Sequence, residues 1–113
     1  MVIVAQLSPE VLVADRGILA SSMWCRLAGL LPRRSFEAGE AIIIPRCNMI
    51  HTWFMRFAID VVFVKAGRVI KIIHALRPFR FAAALEAESV IELPVGTLAR
   101  TALCCGTVLR MMV

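Results

Sequence analysis

The chain has 113 residues, 60% of them hydrophobic and 19% charged, with a net charge of +5 and a mean hydropathy of +0.82. That length suits one domain with a real core, and the apolar content excludes a disordered, collagen-like or mucin-like chain. It also excludes a membrane-spanning helix, because no run free of Asp, Glu, Lys and Arg exceeds nine residues, against the roughly 20 a span needs.

Taken in chain order, Val11 to Ala14 reads as a short strand. Ala20, Met23, Trp24, Leu27, Leu30 and Leu31 then recur at spacings of three and four, which predicts an amphipathic helix. Pro32 cannot continue it, and Arg33-Arg34 suits its negative end. Ala41 to Ile44, closed by Pro45, and Ile50 to Phe54 are the next apolar runs. Ile59 to Val64, the connection Lys65-Ala66-Gly67-Arg68 and the run Val69 to Ile73 predict a β-hairpin. Ser89 to Leu93 is a further strand ended by Pro94. Thr97 is positioned to cap a helical turn reaching Leu103, and Cys105-Gly106 turns into a last strand from Val108 to Met112. Short strands without alternating helices predict a mainly β fold over residues 1–113. The expected form is a compact antiparallel sandwich or barrel with one short N-terminal helix.

The positive charge belongs to the middle of the chain. Residues 42–85 carry Arg46, Arg56, Lys65, Arg68, Lys71, Arg77 and Arg80 against the single acid Asp60. Arg77-Pro78-Phe79-Arg80-Phe81 alternates cation and ring, a pattern able to stack on bases and meet phosphates. The plainer expectation is a surface loop with its rings tucked inward. Cys25, Cys47, Cys104 and Cys105 form no C-x-x-C pair, so reduced, mostly buried thiols are expected. Neither a metal nor a cofactor is expected, because phosphate-loop, dinucleotide, nucleophile-elbow and H-E-x-x-H motifs are all missing from the sequence. The N-terminus lacks the basic flank of a secretory signal, and a cytoplasmic protein is expected.

Three titratable residues stand out. His51 lies in an uncharged run near Cys47, where a hydrogen-bonded, partly buried imidazole is the expected state. Asp60 sits in a run apolar on both sides, so its carboxylate must be hydrogen-bonded or paired. Arg56, His51 and backbone N–H groups are its candidate partners. Glu92 flanks Pro94, which suggests a turn or cap.

The ordered landmarks carry a resemblance. Trp24-Cys25-Arg26-Leu27-Ala28-Gly29, Gly39-Glu40-Ala41-Ile42-Ile43, the stretch from Ile50 to Phe63, Gly67-Arg68-Val69-Ile70, Leu76 to Arg80 and Val90 to Gly96 follow one another. From about Val11 to Arg110 the chain resembles the bacterial and archaeal family called domain of unknown function 192. The resemblance implies a mostly antiparallel β-sandwich or barrel of jelly-roll type with a short early helix, and no agreed activity. By position it singles out Arg26, Gly29, His51, Thr52, Met55, Asp60, Glu92 and Gly96. Ala58 stands where Pro is frequent, and Thr107 where an acid is common.

Function is expected to be that of a non-enzymatic binding or accessory module recognising a small ligand or a protein segment. Its candidate binding residues are Arg26, His51, Thr52, Met55, Arg56, Asp60 and Glu92, and a homo-oligomer is the plainest version. The alternatives are an enzyme with a pocket around Asp60 and His51, and nucleic-acid binding through the Arg-rich segment 42–85.

Overall fold

Runs of β-branched residues decide the architecture, as seen in a computed structural model that describes residues 1–20, 35–53 and 55–113. The strands are β1 (Val2–Ala5), β2 (Val11–Ala14), β3 (Arg16–Leu19), β4 (Glu40–Pro45), β5 (Met49–His51), β6 (Ile59–Lys65), β7 (Arg68–Leu76), β8 (Phe81–Ala83), β9 (Ser89–Pro94) and β10 (Leu109–Met112). Among the described residues one helix occurs, α1 (Thr97–Thr101).

A five-stranded sheet in the order β3-β4-β9-β6-β7 forms the middle of the molecule. Its inner strands are apolar on both sides because both faces are covered. On one face Ala41, Ile43, Val62, Val64, Ile91 and Leu93 pack against Ile3, Ala5, Val13 and Leu109 of a three-stranded sheet, β10-β1-β2, and against Leu98 and Leu103. On the other, Ile42, Ile44, Ile59, Val61, Phe63 and Val90 pack against Ala20, Ile50, Met55 and Ala82. Ile50 and Ala82 come from a two-stranded ribbon, β5-β8.

The expected hairpin is present as β6-β7, with Lys65 paired to Arg68 around the two-residue loop Ala66-Gly67. Both loop residues have positive φ (50° and 74°), the left-handed pair that matches strand twist in a tight hairpin. The Glu88 carboxylate accepts the Ala66 N–H at 2.6 Å and holds this end to β9.

Several expectations are corrected. The central sheet ends at β3 and β7 and does not close, so the fold is a sandwich with an added ribbon rather than a barrel. The sheet is mixed: β3 and β4 are parallel, joined through residues 20–39, a connection long enough for a parallel crossover. The helix expected from Ala20 to Leu31 falls on residues 21–34, which lie outside the described residues, and the helix observed is near the C-terminus. Gly96, at φ 95°, takes the N-cap position expected of Thr97, which lies inside the helix. Cys104 and Cys105 are exposed free thiols, not buried ones, because the turn Cys104–Thr107 lies at the surface.

Candidate functional site

Asp60 and Thr52 build one local structure between them. Asp60, 1% exposed, points toward α1, because Val62 and Val64 on its side of β6 face that layer. Its Oδ2 accepts the N–H of Gly96 (3.1 Å) and Leu98 (2.9 Å), and its Oδ1 accepts the N–H of Ala75 (2.9 Å). Three backbone amides therefore supply the compensation that burial of a carboxylate demands. Ala75 is held at φ 51°, in the left-handed region. The Asp60 clamp thus starts an irregular segment at the end of β7.

Thr52 ends that segment. Fully buried, it donates its single Oγ1 hydrogen to the Arg77 carbonyl (2.6 Å), with the Arg80 carbonyl farther off at 3.3 Å, and Oγ1 accepts the Arg80 N–H (2.9 Å). Its backbone carbonyl accepts the N–H of Phe79, and its backbone N–H donates to Arg80. The turn closes with Phe79 at φ 60°, an uncommon state for a bulky residue that the surrounding hydrogen bonds impose. Phe79 is displayed, 59% exposed.

The ribbon continues the display. His51 pairs directly across from Phe81, and Ile50 across from Ala82. Strand alternation then sends Ile50 and Ala82 into the core while His51 and Phe81 face outward. Phe81 is 60% exposed, Trp53 is 52% exposed, and the rings of His51 and Trp53 lie 5.2 Å apart at 37°. The Trp53 N–H donates to His51 Nδ1 at 3.4 Å. Phe79 and Phe81 are therefore not tucked inward, and His51 is exposed rather than partly buried. The pairing to β5 across some thirty positions of sequence fixes which face Phe81 takes.

The remaining candidates fall elsewhere. Met55 is buried below the ribbon, and Arg56 is exposed in the loop before β6. Arg26 lies outside the described residues. Glu92 occupies mid-strand β9, not a turn or cap; it pairs with Ile42 on one side and Val61 on the other. Their side is the apolar face beneath the ribbon, and burial there raises the Glu92 pKa from 4.5 to about 7. Asp60 faces the opposite layer, and His51 is not among its three partners.

The cations divide between two ends of the sheet. Arg46 and Arg68 lie at the β6-β7 loop end, where Pro45, Ser89 and Val64 are in register. Arg56, Arg77 and Arg80 belong to the other end, where Ile59 pairs with Leu76. The length of β6, from Ile59 to Lys65, separates the ends, roughly 20 Å at strand rise. The arginines of segment 42–85 are therefore divided between two ends of the sheet rather than gathered in one cluster. A separate cleft of about 290 Å³ is lined by Leu12, Asp15, Arg16, Gly39 and Arg100. Its guanidinium groups are engaged, Arg16 with Asp15 and the Ala38 carbonyl and Arg100 with the Val13 carbonyl.

Trp53, Phe79 and Phe81 are the displayed residues missing from the sequence-derived site. The signal for Phe79 and Phe81 is the cation–ring alternation at 77–81, and Trp53 lies in the apolar run from Ile50 to Phe54; neither carries a direction until the partner strand is known. Among the described residues, no helix is long and apolar enough to cross a membrane.

No curated protein matches the chain. Two solved structures resemble it: a protein of unknown function from Novosphingobium aromaticivorans DSM 12444, and a protein from Sinorhizobium meliloti 1021 described as a candidate transcription regulator. The first is 19% identical with a TM-score of 0.85, the match covering 98% of this chain and 84% of the other. The second is 20% identical with a TM-score of 0.84, covering 96% and 91%. Both likenesses establish the fold alone. The match to a protein family extends over residues 12–111, to the family described as uncharacterized ACR and designated domain of unknown function 192, and the chain belongs to that family.

Proposed function

We propose that this protein is a non-enzymatic binding module whose recognition surface is the outer face of the β5-β8 ribbon and the adjoining turn 77–80. The observation that carries the reading is the set of exposed rings at Trp53, Phe79 and Phe81 beside His51, held up by a fully buried Thr52. Apolar rings are costly to leave in water, and exposed aromatic groups are enriched where proteins make their contacts. Two buried polar groups are occupied in holding backbone: Asp60, on the opposite layer, by three amides, and Thr52, beneath the rings, by the turn. Neither the Asp60 carboxylate nor the Thr52 hydroxyl is left to attack or protonate a substrate, and the Glu92 carboxyl lies buried under the ribbon at 7% exposure, which favours binding over catalysis.

The test is a backbone NMR shift map of the full chain against three pools: small-molecule fragments, random dodecapeptides and random oligonucleotides. At least one pool is expected to move resonances of residues 49–53 and 77–83 as a contiguous set. Shifts confined to the Leu12–Arg16 cleft, or no saturable shift from any pool, would overturn the reading.

A further inference from the structure

We propose that the outer face of the ribbon is a stacking platform for single-stranded nucleic acid, with bases lying on Trp53, Phe79, Phe81 and His51 and phosphates meeting Arg77 and Arg80. This inference rests on the binding-module reading and names its ligand.

The argument begins with the form of the surface. The rings stand on a two-stranded ribbon and on the turn beside it, more than half exposed at Trp53, Phe79 and Phe81. An apolar segment of a protein partner is best held in a concavity that removes its side chains from water. Unpaired bases instead need open π-faces, and stacking on aromatic side chains is tolerant of sequence. The cross-strand pair His51–Phe81 and the neighbouring pair His51–Trp53, 5.2 Å apart, offer adjacent faces of this kind.

Charge points the same way. No acid occurs between Asp60 and Glu86, and the Asp60 carboxylate is buried under three amides on the far layer. Among the described residues, Arg56 and Arg77 are exposed and make no ion pair, and the Arg80 guanidinium donates to the Phe79 carbonyl at 3.4 Å. Arg77 and Arg80 therefore flank the ringed turn in sequence and at this end of the sheet, ready for an anionic backbone. The same arginines oppose a second copy of the chain, because a two-fold contact through this face would set each copy's arginines close to the other's.

Backbone geometry supplies the preorganisation. Phe79 is fixed at φ 60° by its N–H to the Thr52 carbonyl, and Thr52 Oγ1 ties down the backbone of Arg77 and Arg80. The cation–ring alternation is therefore presented by a pinned turn, so little order must be gained on binding. Thr52 acts here as a positioning residue.

The experiment uses the full chain and 5′-fluorescein dodecauridylate RNA, read by fluorescence anisotropy, with a labelled duplex of the same length alongside. The single strand is expected to bind more tightly than the duplex. If two phosphates are neutralised, log Kd is expected to rise with log salt at a slope of about 1.4 for a single strand. Trp53→Ala and Phe81→Ala are each expected to weaken binding roughly 5- to 100-fold. The double variant Arg77→Ala/Arg80→Ala is expected to flatten the salt slope nearly to zero, with circular dichroism checking that every variant is folded. Equal binding of duplex and single strand, or folded ring variants that bind as the parent does, would overturn the inference. So would a dimer that Phe81→Ala dissociates, which would assign the face to a second copy. If peptides or fragments shift residues 49–53 and 77–83 while the RNA does not, this inference fails and the binding-module reading stands; if none shifts them, both fail.

Discussion

The two faces of the central sheet are covered in different ways. One lies under a three-stranded sheet and α1, with Asp60 tying the layers together through amides of Gly96, Leu98 and Ala75. The other lies under a ribbon with only three residues in each strand, which contributes Ile50 and Ala82 to the core and turns His51 and Phe81 to solvent. The first cover uses its polar residues to hold structure. The second is too thin to hide both sides of its strands, so its outer side presents rings that packing does not require.

That contrast breaks most visibly at Asp60. Asp60→Ala orphans three backbone amides at once and is expected to cost about 3 to 5 kcal/mol in urea unfolding. Asp60→Asn keeps an acceptor and should cost less. An alanine variant as stable as the parent would show that the amides find other partners.

Glu92 tests the opposite face. Its pKa is raised from 4.5 to about 7 by burial among apolar neighbours. A folded chain therefore holds this proton where an unfolded chain has released it. The contribution to stability is fully present below pH 4.5 and is lost as pH rises to about 7, a fall of roughly 3 kcal/mol. Glu92→Gln is expected to flatten that dependence and to be more stable than the parent at pH 8. Urea midpoints at pH 5 and pH 8 for both proteins check it, and parallel pH profiles would place the Glu92 carboxyl in a wetter setting.

Much of the central sheet and little of the ribbon over it is legible in the sequence. The β4, β6 and β9 runs read as strands because Ile and Val side chains are wanted on both sides of a buried sheet. Asp60 stands out as the lone acid in such a run, and its partners prove to be backbone N–H groups. β5 overlaps the run read from Ile50 to Phe54, but β8 escapes notice because it spans three residues and finds its partner some thirty positions away. Phe79 and Phe81 look like core residues until that register, and the left-handed turn pinned by Thr52, decide their direction. Glu92 looks like a cap because Pro94 follows closely, yet β9 carries that proline inside the strand.

Smaller effects sharpen the comparison. Thr52→Val keeps the shape but removes the hydroxyl that holds Arg77 and Arg80, and about 1 to 3 kcal/mol of stability should go with it. Ligand affinity should fall in the same variant although every displayed ring remains, which shift mapping of residues 77–83 would detect. Phe81→Ala, on the outer side, is expected to change stability by less than about 1 kcal/mol. A larger loss in thermal or urea unfolding would mean that the ring belongs to the core.

The most direct measurement takes the double variant Trp53→Ala/Phe81→Ala and records its urea midpoint together with its shift map against the fragment, peptide and oligonucleotide pools. The account predicts a folded protein that loses less than about 2 kcal/mol and no longer responds at residues 49–53 and 77–83. An unfolded variant would make the rings structural, and a folded one that still binds on this face would contradict the assignment of the ribbon as the recognition surface.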